Sequence, residues 1–183
     1  MDIRIASDIT FDSIVDGPGL RAVVWSQGCK HNCIGCHNPQ THSLKGGKIV
    51  DTREIIDKIK SKKLQSGVTL SGGEPFLQAD AMAEIAIASK EMGLNVWSFT
   101  GFVFEDLIDK KNINYFSNMK LLKNIDVLVD GKFEENKKDI SLKFRGSANQ
   151  RIIDVQKSLK LGKIIIREEY TENYIDTFLP MAK

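Results

Sequence analysis

Three cysteines lie within eight residues, at Cys29, Cys33 and Cys36, with three residues between the first pair and two between the second. Thiolates so spaced can converge on one side of a tight loop, and the chemistry they offer there is ligation of a soft metal or a cluster. Four cysteines would close a cube-shaped iron-sulfur cluster, whereas three leave one iron without a protein ligand and free to bind a small molecule. Two plainer readings stand beside this one. A structural zinc site would add His31, His37 or His42 as a fourth ligand. Free cysteines can also be small buried hydrophobes, although three in so short a stretch argue against that. A second constellation, Ser71-Gly72-Gly73-Glu74-Pro75, joins two glycines that admit a ligand to the backbone with one carboxylate able to pair with a cationic amine. By itself it reads equally well as a turn between a strand and a helix.

The elements that must position these residues follow from patterning. Arg21 to Ser26 is a short apolar run, led by Asp16-Gly17-Pro18-Gly19 and closed by Gly28, as expected of a strand buried on both faces. Asp51-Thr52-Arg53-Glu54 has the form of a capping box, and Ile55, Ile56 and Ile59 give the helix behind it an apolar face. Val68 to Leu70 predicts a second strand, Leu77 to Met92 a helix closed by Gly93, and Leu94 to Thr100 a third strand. One or two helices within Phe104 to Lys123 and a strand over Ile125 to Asp130 come next. Beyond the charged, irregular stretch from Gly131 to Gln150, two strands are expected at Arg151 to Val155 and Lys163 to Arg167, and a helix near Thr171 to Leu179.

Alternation of this kind predicts an α/β fold with a parallel sheet. A closed eight-unit barrel needs about 250 residues. A chain of 183 therefore builds an incomplete, partial β/α barrel, an arc of four or five parallel strands. Both chemical motifs follow directly after strands, so they should be neighbours at the carboxyl ends of the sheet, where ligands of parallel α/β folds bind. The whole of 1–183 reads as one domain, with a core over about 12–155 and an extension over about 157–183 that covers a sheet edge and shows no chemistry.

Composition excludes several classes. With 26 Lys and Arg against 24 Asp and Glu, the charge is too balanced to predict nucleic acid or an anionic membrane as principal partner. No apolar run approaches the roughly 20 residues that cross a bilayer, and the start lacks the profile of an export signal, so a cytoplasmic protein is expected. Three clustered cysteines are the wrong arithmetic for a disulfide-stapled secreted domain.

The cysteine spacing, on the loop after the first strand, resembles the radical S-adenosylmethionine enzymes, and it matches at all three positions. The resemblance implies a barrel of the radical S-adenosylmethionine type, a 4Fe-4S cluster on Cys29, Cys33 and Cys36, and S-adenosylmethionine as the molecule bound at the open iron. It further implies that His37 lies against the adenine, that Gly35 and Cys36 also contact the cofactor, and that Gly72, Gly73 and Glu74 receive the amino group of the methionine half. Asp130, a carboxylate at a strand end, would help hold the ligand or a cation, unless Asp130-Gly131 is an ordinary turn pair.

Further segments are similar to one subgroup, the activating enzymes of anaerobic ribonucleotide reductase. These are Asp16 to Gly19, Val96 to Phe102, Val127 to Phe133 and Arg145 to Gln150, the last two being the most specific. What this implies is an oxidoreductase that cleaves S-adenosylmethionine reductively and generates a glycyl radical on the reductase, its protein substrate, with a reducing partner such as flavodoxin. No side-chain acid or base is needed, since the cofactor carries the chemistry. Another glycyl-radical activase, a small-molecule radical enzyme of the deazapurine synthase kind, and a noncatalytic cysteine-rich metal module are the alternatives. Trp97 and Phe99 read as strand packing, with Ser98 or Thr100 available to a ligand, and Arg145 to Gln150 either recognises a partner or ties down a loop.

Overall fold

The structure, a computed structural model, describes residues 1–170. In chain order its elements are β1 (Asp2–Ile5), β2 (Thr10–Ser13), β3 (Arg21–Ser26), β4 (Lys48–Asp51), α1 (Thr52–Lys60), β5 (Gly67–Gly72), α2 (Ala79–Glu91), β6 (Asn95–Phe99), α3 (Phe104–Leu107), α4 (Tyr115–Leu122), β7 (Val127–Asp130), β8 (Arg151–Asp154) and α5 (Val155–Leu161). The eight strands form one mixed sheet in the order β4-β1-β3-β5-β6-β7-β8, with β2 paired to β3 off that path.

Its centre is parallel: β3, β5, β6 and β7 run the same way, with Arg21 opposite Gly67 and Gly67 opposite Asn95. Helical connections between parallel neighbours place helices against the sheet. Val68, Leu70, Val96 and Leu128 share one core with Met82 and Ile85 of α2. Small residues on α2, among them Ala79, Ala83 and Ala86, are buried and let the helix lie close to the strands. Asp51 caps α1 by accepting a hydrogen bond from the Arg53 N–H, and Gly93 follows α2 at φ +75°, a conformation that favours glycine.

The opposite face is smaller and holds a buried cation. Trp97, Val127, Val129 and Ile152 pack there with Phe99, Phe144 and Tyr170. Arg21 is 1% exposed; its Nε donates to Thr69 Oγ1 at 2.6 Å, its Nη2 to the Val68 carbonyl at 2.7 Å, and its guanidinium lies 5.5 Å from the Trp97 ring centroid. Burial pushes the guanidinium down to about 10, an effect that Asp126, Asp16 and Tyr170 oppose. The turn ahead of β3 is shaped by this side chain. At Gly17, φ is +131° and a Cβ would come within 2.8 Å of Arg21 Cδ.

Three features depart from the expectations drawn from sequence. The parallel arc has four strands; antiparallel β1, β2 and β4 extend one side and antiparallel β8 ends the other. Lys163 to Arg167 is not a strand but touches the sheet through a single bridge between Ile153 and Ile166. Asp154 accepts a hydrogen bond from the Lys157 N–H at 3.0 Å and so starts α5 inside what reads as a strand-like run. The expected helix near Thr171 to Leu179 lies outside the described residues.

Arg21 gives a direct test of this packing. Arg21→Ala removes the donor to Thr69, to the Asn95 side chain and to three backbone carbonyls and opens a cavity beside Trp97, and should lower stability by about 3 kcal/mol. Arg21→Met, which refills the volume without a charge, should recover most of it. Urea midpoints measure both; an alanine variant within about 0.5 kcal/mol of wild type would contradict the assignment.

Candidate metal centre and ligand cleft

The cysteine loop leaves β3 at its carboxyl end and is closed at its base by backbone pairing. The Gly28 N–H donates to the Thr41 carbonyl at 2.8 Å and the Cys29 N–H to the His42 carbonyl at 3.1 Å. The chain then turns through Asn32 and Gly35, at φ +48° and +71°. The Cys36 N–H returns to the Cys33 carbonyl, and Cys36 Sγ accepts a hydrogen bond from the Asn38 N–H at 3.4 Å. All three cysteines are free thiols of intermediate exposure. Burial pushes the Cys29 thiol above its ordinary value, with Glu74, Cys33 and Cys36 adding to the effect and a backbone hydrogen bond from His31 opposing it.

Beside the loop, the strand-to-helix turn after β5 approaches with bare backbone. A Cβ on Gly72, at φ +99°, would come 2.6 Å from the Ser26 backbone, and one on Gly73 would come 2.4 Å from the Gly28 carbonyl oxygen. Only glycine allows the contact there, and the Gly73 and Glu74 N–H groups use it to donate to the Ser26 and Gly28 carbonyls, each at 2.8 Å.

Cys29, Cys33, Cys36, His37, Gly72 and Gly73 line one cleft of about 630 Å³, a volume suited to a nucleoside-sized ligand. The two motifs separated by more than thirty residues in sequence thus meet at the carboxyl ends of β3 and β5. The exposed His37 ring tilts against Phe133 with centroids 5.0 Å apart. Gly35 stands outside the cleft lining, where a Cβ would be 3.0 Å from the Glu135 carboxylate.

Two carboxylates assigned to ligand contact are already engaged within the protein. Glu74 is 1% exposed and accepts four hydrogen bonds: Oε1 from the Phe76 N–H at 3.0 Å and Thr100 Oγ1 at 2.9 Å, Oε2 from the Gly101 N–H at 2.8 Å and, across 2.8 Å, from His31 Nε2. Asp130 is fully buried and lines an adjoining hollow of about 680 Å³ rather than the cysteine cleft. Its carboxylate accepts from the Phe104 N–H at 2.7 Å and from Arg151 Nε at 2.9 Å, and a second Arg151 nitrogen closes the fork. Asp130, then Glu105, hold Arg151 well above the ordinary arginine range. The side chain at the end of β7, expected to help hold the ligand or a cation, thus has a bidentate partner within the protein.

Of the two residues considered as ligand contacts, Thr100 lines the cysteine cleft and Ser98 does not. Thr100 holds Glu74, and Ser98 is buried with its hydroxyl near the Phe99 carbonyl. Arg145 to Gln150 ties down its own loop: Gln150 Oε1 accepts from the Gly146 and Ser147 N–H groups, and its amide donates to the Gly131 carbonyl at 3.0 Å. Sequence reasoning weighed His31 only as a zinc ligand and passed over Gly101. No local signal links them to Glu74, since the contacts span 43 and 27 residues.

The donor set is one that an iron-sulfur cluster can use. Among the described residues no three His, Cys, Asp or Glu side chains are drawn together as one metal ion requires. Three uncommitted thiols spaced around a loop and facing a cleft are the arrangement a larger iron-sulfur group needs.

Comparison with known proteins agrees. The family described as a 4Fe-4S single cluster domain matches residues 15–153, so the chain is a single-cluster iron-sulfur protein. It is 38% identical over 148 residues to the anaerobic ribonucleoside-triphosphate reductase-activating protein of Vibrio cholerae, covering 76% of this chain and 90% of that one. The protein of the same name from Enterobacteria phage T4 is 34% identical over 145 residues, covering 75% and 86%. The chain belongs to the family of anaerobic ribonucleoside-triphosphate reductase-activating proteins. Among solved structures, QueE from Escherichia coli superposes with a TM-score of 0.45 at 15% identity, over 55% of this chain and 53% of that one.

The raised Cys29 thiol predicts its reactivity. In cluster-free protein near pH 8 the thiolate is the minor form, so Cys29 should react with iodoacetamide several-fold more slowly than an unfolded cysteine peptide, its rate still climbing at higher pH. Mass spectrometry of the labelled peptide measures this, and a rate equal to that of the peptide would refute it.

Proposed function

We propose that this chain is a radical S-adenosylmethionine activating enzyme that generates a glycyl radical on an anaerobic ribonucleotide reductase, its protein substrate. The observation that carries the reading is the shared cleft, in which Cys29, Cys33 and Cys36 face the bare backbone of Gly72 and Gly73 at the ends of parallel strands. Cys29, Cys33 and Cys36 hold the cluster. A 4Fe-4S cluster on three thiolates supplies, when bound, one electron at an iron open to a small molecule. Gly72 and Gly73 receive the methionine end of S-adenosylmethionine, and the His37 ring beside Gly35 lies by its adenine.

The rest of the chain orients and shelters. Arg21, Trp97, Phe144 and Tyr170 fill the face of the sheet that leads to the cleft, which keeps water from entering beneath a reactive ligand. The order of the four parallel strands, with helices on the crossovers, supports an incomplete β/α barrel whose open side admits a segment of a folded partner. We read 1–183 as one domain built on a core of about 12–155. Among the described residues no helix is long and apolar enough to cross a membrane. A cytoplasmic setting and a flavodoxin-like electron donor complete the proposal.

Anaerobically reconstituted protein with reductant and S-adenosylmethionine should yield 5′-deoxyadenosine and, with the reductase, a glycyl electron-spin signal. Cys33→Ala should lose cleavage by at least about a hundredfold while its far-ultraviolet circular dichroism is unchanged. Cleavage without a glycyl signal would reject the protein substrate, and normal turnover by the cysteine variant would reject the ligand assignment.

A further inference from the structure

His31 stands between two cysteines, yet its ring is held by residues of other elements. Its side chain is 10% exposed and Nε2 lies 2.8 Å from Oε2 of Glu74, itself 1% exposed. Phe102 meets the ring edge-on with centroids 4.6 Å apart. Gly101 makes the seat: a Cβ there would come 2.4 Å from His31 Cδ2. Among the described residues, no other side chain between Cys29 and Cys36 hydrogen-bonds outside the loop. Backbone pairing fixes only the base of the loop, at Gly28 and Cys29, while Lys30, Asn32, Ile34 and Gly35 face solvent. A loop with so few internal contacts opens locally at low cost unless something anchors its inner side.

We infer that His31 is a positioning residue: through the Glu74 carboxylate it fixes the cysteine loop against the Gly72–Gly73 turn, so that the three thiols and the ligand-facing backbone form one rigid frame. The same carboxylate is fastened to β6 through Thr100 and Gly101, so the frame extends to a third strand end. His31 acts through Glu74 and need touch neither cluster nor ligand. The inference rests on reading the three cysteines as cluster ligands.

Its first test needs no iron. In cluster-free His31→Ala the three thiols should alkylate several-fold faster than in wild type, while amide exchange in β5 and β6 stays protected. His31→Gln, whose side-chain N–H can still donate to Glu74, should return the rate toward wild type. Gly101→Ala leaves both hydrogen-bonding groups in place but drives a methyl into the ring, and should match His31→Ala. Wild-type alkylation rates in both His31→Ala and Gly101→Ala overturn the inference. The second test titrates S-adenosylmethionine against the electron-spin signal of the reduced, reconstituted protein. Loss of a hydrogen bond to a buried carboxylate should weaken the apparent Kd by about tenfold or more in His31→Ala, with recovery in His31→Gln. An unchanged Kd removes the link to the ligand frame. If wild-type protein gives no cluster signal, the functional reading fails, and the alkylation series still decides the role of His31.

Discussion

The site depends on one buried carboxylate. Glu74 sits in a place where an ionised group survives only with its acceptors filled, and it collects donors from three separate stretches: its own turn at Phe76, the end of β6 at Thr100 and Gly101, and the cysteine loop at His31. Each donor is weak alone. Together they make one point at which the strand ends are registered to one another, because moving any stretch strands a buried charge. The glycines on either side serve this arrangement, since Gly73 lets the turn reach the Gly28 carbonyl and Gly101 leaves space for the imidazole.

A second charged network stands at the end of β7 and has a different purpose. Asp130 and Arg151 join adjacent antiparallel strands at their hydrogen-bonded ends, and Glu105 reaches the same guanidinium from α3. The pair closes the parallel series on the side away from the cysteines. Arg21, buried beneath Trp97, and Arg151 are satisfied differently: Arg151 by carboxylates, Arg21 by neutral oxygens and an aromatic face.

The parallel centre was legible in the sequence because β3, β5 and β7 are short runs buried on both faces and punctuated by glycine. The edge strands were not. β1, β2 and β4 are four residues each, so even the alternation of Asp2-Ile3-Arg4-Ile5, whose two isoleucines are buried, is at the lower limit of what marks a strand. α5 was masked because its cap, Asp154, follows a β-branched pair and precedes another β-branched residue, so propensity pointed to a strand while the side chain was already capping a helix. In the site, the cysteine triplet and the Gly72–Gly73 pair declare themselves by residue type and spacing. The partners of Glu74 and Asp130 do not, since a carboxylate written in a sequence does not say whether a donor from a distant segment will reach it first.

The reversal at β8 has a consequence for the shape of the mouth. Had β8 been parallel to β7, the chain would have returned to the far end of the sheet through a helix, and the rim would have received only two short connections. Because it turns straight back, the whole of 131–150 hangs at the rim, fastened by Gln150 and Asn149 to its own carbonyls at Gly131 and Lys132. Apart from Phe144, which packs on Trp97, and the buried Ser147, that hairpin can accept new side chains without disturbing the parallel strands, so the molecule keeps its tolerance for change beside the entrance and its intolerance underneath.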